Sequence, residues 1–385
     1  MKTIHFIHSN MYMGGGEKAL LRLLNSLDTS KYDVSLTLNY EGGELLPNIP
    51  GSVSTQIYPW DALTKDCAAL PFLKYMRYCN YALRLRTVKD PKKVCWAARI
   101  WDLCHHVSAD AVLAYAFAPL TTMLIGALST ARYKALWVHC LLDGEEDYYH
   151  PAAPFLQRYQ TVFCVSEAVK DSFCRHFPAC ADKAVVMYNL ICPQEIRELA
   201  DELLIPTEPD TFTLCTVTRI APGKGAELIP ELVRRLTGDG YRVKWYLVGD
   251  GDNTEEVMRL AAQYGVNDKI VFCGTLKNPY PYIKCCDVYV QPTRAEGFGL
   301  SVNEAKILCK PIVVTDLPCM HEQFIPNENA ILTEGTADAF AAGIEKLLDS
   351  PELRERFSEN LKSVRYDDQS EMDKLYAYIE RYTGD

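Results

Sequence analysis

Two carboxylates with seven residues between them, Glu296 and Glu304, bracket the run Gly297-Phe298-Gly299-Leu300. An ionised carboxylate accepts hydrogen bonds from both hydroxyls of a diol. A glycine loop that opens a helix turns backbone N–H groups and the positive end of the helix dipole toward an anion. Together these groups suit a ligand with phosphate at its middle and sugar hydroxyls at its edges. As a bare glycine pattern, the same residues would make only a tight turn with two solvated glutamates.

Three further sets could do related chemistry. Arg219 and Lys224 stand five apart. On one loop they can converge on a diphosphate, the guanidinium bidentately and the ammonium as a point charge; alone they are an ordinary charged loop. Gly14-Gly15-Gly16 follows an apolar alternation and precedes Ala19, Leu20, Leu23, Leu24 and Leu27 at helical spacing. That is a second anion cradle, and it lacks the GxGxxG spacing of a nicotinamide dinucleotide site. His139 closes the apolar run Leu136-Trp137-Val138, where open α/β sheets bind ligands at their carboxyl ends.

The elements that must carry these residues follow from hydrophobic period. Residues 287–292 and 311–315 read as buried strands, and Val302, Ala305 and Leu308 recur as in a helix between them, so the Glu296 loop lies in a βαβ unit. Strands are expected at 4–8, 34–38, 111–116 and 134–139, then at 212–218, 243–248 and 270–273. A helix is expected at 226–236, with carboxy-terminal helices at 337–348, 353–364 and 371–382. Residues 193–209 turn charged and proline-bearing, a linker composition. The chain thus reads as α/β, with two doubly wound Rossmann-like domains, 1–195 and 196–370.

Residues 72–94 hold seven basic residues, Lys74, Arg77, Arg84, Arg86, Lys89, Lys92 and Lys93, against one acid, Asp90. On a helix starting near Pro71, Phe72, Met76, Cys79 and Leu83 share one face, and Lys74, Arg77, Tyr81 and Arg84 the opposite one. Such a helix fits either an anionic membrane surface or ordinary packing on its own domain. Lys74, Arg77 and Arg84 are therefore membrane or acceptor candidates. The acidic run 143–147 reads as a solvated turn.

With 385 residues, 48% hydrophobic and 23% charged, the composition is that of a globular protein of about two domains. A net charge of −10 argues against a general nucleic-acid partner. The 15 cysteines form no CxxC pair and read as reduced thiols. No apolar run approaches the roughly 20 residues that span a bilayer. The opening Ile4-His5-Phe6-Ile7-His8 reads as a strand rather than a targeting signal. A cytoplasmic protein, peripheral on the inner face of the plasma membrane, is expected.

Glu296-Gly297-Phe298-Gly299-Leu300-Ser301-Val302-Asn303-Glu304 resembles the Glu-x7-Glu signature of retaining glycosyltransferases of the GT-B class, family 4 type (group 1), which includes sucrose synthase and cell-envelope mannosyltransferases. Arg219-x4-Lys224-Gly225 resembles the family's Arg-x4-Lys-Gly. The resemblance implies two Rossmann-like domains facing each other across a cleft, with the last helix, about 371–385, crossing back to the first. It adds 161–167 and 185–189 as the last two strands of the first domain. It implies that Arg219, Lys224 and the Gly299-Leu300 helix start stabilise a leaving nucleoside diphosphate, that Glu296 holds sugar hydroxyls and that Glu304 holds the ribose. Gly15 and Gly16 then lie by the diphosphate and His139 by the donor sugar. Gly249 makes a strand-end turn, so Asp250-Gly251-Asp252 is no metal motif, and Gly274 flanks the base. No cofactor or metal is expected.

The match departs from the family at two places. Leu190-Ile191-Cys192 stands where Gly-Val-Asp is usual, and Asp316-Leu317-Pro318-Cys319-Met320-His321-Glu322 lacks the family's glycine pair. The second departure is where donor specificity is expected to be set. The implied activity is transfer of a hexose or N-acetylhexosamine from a nucleotide sugar, a UDP-sugar first, to a glycan or lipid-linked glycan hydroxyl. A nucleotide-sugar epimerase or hydrolase of the same fold, or a non-catalytic sugar-nucleotide-binding subunit, would share these residues.

Overall fold

The computed structural model describes residues 1–59, 67–68, 70–87, 92–144 and 146–384. Lys89 and Asp90 of the basic segment and Glu145 of the acidic run lie outside the described residues. The chain divides into two units, Met1–Leu190 with Asp368–Asp385, and Ile191–Asp367. The change of unit falls at Leu190, a few residues before the expected 195.

In the first unit, β1 (Lys2–His8), β2 (Tyr32–Leu38), β3 (Ser54–Ile57), β4 (Ser108–Ala114), β5 (Thr130–Val138), β6 (Thr161–Cys164) and β7 (Ala184–Val186) form one sheet. Its order is β3-β2-β1-β4-β5-β6-β7, and every neighbouring pair is parallel. A parallel sheet is covered on both faces, so its strands are apolar runs rather than alternations. Ile4, Phe6 and Ile7 of β1 and Ala111 to Ala114 of β4 are all buried accordingly. The winding reverses between β1 and β4, and the crevice at such a switch point is where ligands bind.

The helix Asp368–Thr383 belongs to this unit. Tyr382 stacks on Tyr133 at 5.0 Å between ring centroids, and Tyr376 on Tyr32 at 5.3 Å. The Tyr32 hydroxyl donates to Glu380 Oε1 at 2.7 Å.

The basic helix, Phe72–Thr87, packs on its own unit through the side that carries Tyr81. Tyr78, Tyr81 and Leu85 lie against a cluster that includes Trp101, Val107 and Ile125, and Lys74 Nζ donates to the Leu103 carbonyl. Tyr81 and Lys74 therefore belong to the inward side. Phe72, Met76, Cys79 and Leu83 face out. Aromatic residues at three- to four-residue spacing offer more area to bury than the thinner outer stripe.

In the second unit, β8 (Phe212–Val217), β9 (Val243–Val248), β10 (Ile270–Gly274), β11 (Val288–Gln291), β12 (Ile312–Thr315) and β13 (Ile331–Thr333) are ordered β10-β9-β8-β11-β12-β13, again all parallel. Its core is built on Leu214, Trp245, Val288, Val313 and Phe340. The winding reverses between β8 and β11. The expected helix at 226–236 is a 3-10 turn, Ala226–Leu228, running into Ile229–Gly238, with Pro230 in the opening turn, where its missing N–H costs nothing.

Candidate active site

The two strands at the second unit's switch point each end in a loop that carries candidate residues. Arg219 and Lys224 follow β8, and Glu296 follows β11. The loops are pressed together: a Cβ on Gly225, whose φ is +74°, would lie 1.8 Å from the Pro292 carbonyl oxygen. Arg294 N–H donates to the Gly223 carbonyl at 2.8 Å, and Arg294 pairs with Glu227 at 2.6 Å. This contact brings Lys224 Nζ to 2.8 Å from Glu296 Oε2, with both side chains partly exposed. The Arg219 guanidinium is exposed on the same loop.

Gly299, at φ +79°, is the residue before the helix Leu300–Ile307. The preceding turn is held from below. Gln323 Nε2 donates to the carbonyls of Phe298 and Cys319, Gln323 Oε1 accepts from Asn303, and Cys319 Sγ donates to the Glu296 carbonyl at 3.3 Å. Gln323 and Cys319 lie in and just beyond the segment 316–322, which replaces the expected glycine pair. Glu304 points inward, 3% exposed, and accepts from the Tyr280 hydroxyl at 3.1 Å. Tyr280 and Gln323 were not expected from sequence. Neither sits in a motif, and only the folded chain brings them to the loop.

Gly249 N–H donates to the Gly274 carbonyl at 2.8 Å, joining the ends of β9 and β10. Asp250 accepts from Gly251 N–H at 2.8 Å and from the Thr254 hydroxyl at 2.6 Å, so its carboxylate is spent on the turn. Among the described residues no group of three or more His, Cys, Asp or Glu side chains is placed to hold a metal ion.

At the first unit's switch point, His139 follows β5 and donates from Nε2 to the Tyr115 carbonyl at 3.0 Å. A carbonyl only accepts, so the neutral ring keeps its lone pair on Nδ1. Burial, and secondly the neighbouring His8, push its pKa down to about 4. His8 ends β1 and meets Glu17 at 3.3 Å. Burial pushes the Glu17 carboxyl up, but its hydrogen bond to His8 and the charge beside it outweigh this, and its pKa lies below the ordinary value. Of the glycine run, Gly15 begins the helix Gly15–Ser26, Gly16 has open space where a Cβ would stand, and a Cβ on Gly14 would lie 2.2 Å from Glu17 Oε2. His8 and Glu17 went unnoticed in the sequence. The strand-end reasoning applied to His139 would have found His8.

Of the basic candidates, Arg77 and Arg84 line a surface cavity with Trp96 and Arg99. Lys74 is tethered to Leu103 instead.

The family profile described as Glycosyl transferases group 1 matches residues 198–364. An alpha-D-kanosaminyltransferase of Streptomyces kanamyceticus is 30% identical over 178 residues, 44% of this chain and 45% of its own length. A lipopolysaccharide core biosynthesis glycosyltransferase, LpsE, of Rhizobium meliloti is 28% identical over 160 residues, 41% and 46% of the two chains. This chain thus spans about half the length of the curated relatives it matches. Among solved structures, Anabaena Alr3699/HepE in complex with UDP superposes with a TM-score of 0.73 at 17% identity, covering 99% of this chain and 100% of that one. The two parallel-sheet units are those of the GT-B fold.

Proposed function

We propose that this chain, whose residues 198–364 match the group 1 glycosyltransferase profile, is a retaining glycosyltransferase that moves a hexose or N-acetylhexosamine from a UDP-sugar to a hydroxyl of a lipid-linked glycan in cell-surface polysaccharide synthesis. The observation that carries the reading is the Lys224–Glu296 pair at the switch point. In a nucleotide sugar the diphosphate and the sugar hydroxyls meet at the anomeric carbon. A cation and a carboxylate side by side can read the two halves of that junction, the ammonium taking the phosphate and the carboxylate the hydroxyls.

Lys224, Arg219 and the helix start after Gly299 stabilise the charge that grows on the leaving diphosphate, so the reading calls for no metal or cofactor. Tyr280 fixes the carboxylate of Glu304, which takes the ribose diol. The departing phosphate oxygen accepts the proton of the attacking hydroxyl, and the sugar is delivered to the face the diphosphate leaves. Support for a saccharide product comes from the matched LpsE, named for lipopolysaccharide core biosynthesis, and support for the nucleotide from HepE, solved with UDP.

The test is incubation with a panel of UDP-sugars, with and without glycan acceptors, followed by NMR of the anomeric centre. An acceptor-dependent product with the donor's anomeric configuration is expected. Sugar released or epimerised at the same rate without acceptor would instead make the protein a hydrolase or epimerase.

A further inference from the structure

The helix Phe72–Thr87 packs on the next one, Lys93–Cys104. Tyr81 meets the Trp96 ring at 5.5 Å, and earlier in the first helix and later in the second, Lys74 Nζ donates to the Leu103 carbonyl at 3.1 Å. The two therefore run antiparallel, and the start of the first meets the end of the second. Two thiols stand at that meeting. Cys67 lies just before the first helix and Cys104 is the last residue of the second, and their Sγ atoms are 3.4 Å apart although the residues are 37 apart in sequence.

Packing holds the sulfurs in place. Cys67, 1% exposed, belongs with Ile100, Trp101 and Val107 to a cluster that reaches Ile7 of β1 and Val112 of β4, and the half-buried Cys104 packs against the same cluster. A disulfide bond is roughly 2.05 Å long, so about 1.4 Å of further approach separates this contact from a bond. Thiols elsewhere in the chain are less ready to react. Burial pushes those of Cys164, Cys286 and Cys319 up to about 12, and the thiolate is the reactive form.

We propose that Cys67 and Cys104 are a site of reversible oxidation, at which a small-molecule disulfide converts the thiol pair into a disulfide that ties the two helices together. The Cys104 thiolate, the more accessible of the two, attacks one sulfur of the added disulfide, breaks its S–S bond and releases one thiol. The Cys67 thiolate then attacks Cys104 Sγ of the mixed disulfide and releases the second. Two protein thiols are oxidised, one small disulfide is reduced, and the two protons leave on the released thiols. The bond closes a long loop and so restricts the unfolded chain, which makes the stability of the first unit depend on the thiol–disulfide balance around it. The proposal does not depend on glycosyl transfer, because both residues belong to the first unit.

The test treats the full chain with glutathione disulfide, blocks the remaining thiols with iodoacetamide and digests with trypsin without reduction. The tryptic peptides 66–74 and 100–132 hold one cysteine each, Cys67 and Cys104, so a link between them has one reading in the mass spectrum. A linked pair lighter by two hydrogens than the separate peptides is expected, and dithiothreitol should abolish it. The thermal midpoint of the oxidised protein should rise by about 5–10 °C and return on reduction. Cys67→Ser and Cys104→Ser should each remove both effects, whereas Cys79→Ser, which deletes an exposed thiol of the same helix, should remove neither. Midpoints of the reduced variants report whether they fold, and the peptide map of the unmutated protein needs no variant at all. Glutathione retained on Cys104 while Cys67 is alkylated would overturn the proposal. So would Cys67 linked to another cysteine, or a linked pair that leaves the thermal midpoint unchanged.

Discussion

Lys224 Nζ donates to Glu296 Oε2 at 2.8 Å across 72 residues of sequence. The two were expected to serve different parts of a donor, and the fold makes them neighbours. Lys224→Ala should lower the rate of sugar transfer on the order of 100-fold, the usual loss for one preorganised donor to a developing anion. The pair is partly exposed, so stability should change by no more than about 1 kcal/mol. Initial rates with a labelled donor, beside urea unfolding, check both statements. Turnover equal to that of the unmutated protein would remove Lys224 from the leaving-group site.

Gly225→Ala tests what holds that pair together. Its Cβ would lie 1.8 Å from the Pro292 carbonyl oxygen at a φ of +74°. Strain at such a position costs about 1–3 kcal/mol, and the clash adds to it. A urea midpoint lowered accordingly is expected, with transfer lost even where the chain stays folded.

Gln323→Leu removes the hydrogen bonds that support the Phe298 and Cys319 carbonyls and the Asn303 side chain. Each net bond is worth about 1 kcal/mol. Because Gln323 acts through the glycine loop, its loss should raise the KM for the donor about tenfold while changing kcat less. A fall in kcat at constant KM would contradict the positioning role.

Stability should depend on acid through His5. Its ring nitrogens bond to the hydroxyls of Ser35 at 2.7 Å and Thr37 at 2.9 Å. Burial pushes its pKa down from 6.5 to about 4. Between these values the unfolded chain binds a proton that the folded chain refuses. The contribution is therefore complete above pH 6.5 and is lost as pH falls toward 4, at up to about 1.4 kcal/mol per pH unit. Urea midpoints measured over this window should fall less steeply for His5→Gln than for the unmutated protein. Parallel curves would refute the assignment.

Strand, loop and helix around Glu296 were legible because short-range patterns encode them. Buried parallel strands are continuous apolar runs, and the runs at 243–248 and 287–291 needed no partner to be recognised. The elements that escaped lacked such a signal. β3 is an edge strand whose residues are mostly exposed, β13 has only three residues, and the helix Leu120–Leu128 is apolar all round and so has no amphipathic period.

The sequence by itself determined the fold class, the twofold βα succession and which residue types could meet a nucleotide sugar. The tertiary structure decided which of those residues meet. Lys224 and Glu296 come together because β8 and β11 are neighbours although β9 and β10 lie between them in the chain. The same holds for His8 and His139, which leave β1 and β5 on the two sides of β4. It also holds for the basic helix, where the composition was plain but the face was not. Which stripe faces inward depends on what the neighbouring cluster of Trp101, Val107 and Ile125 can bury, and that surface is assembled from distant segments. Periodicity reports that a helix has two faces, and only packing chooses between them.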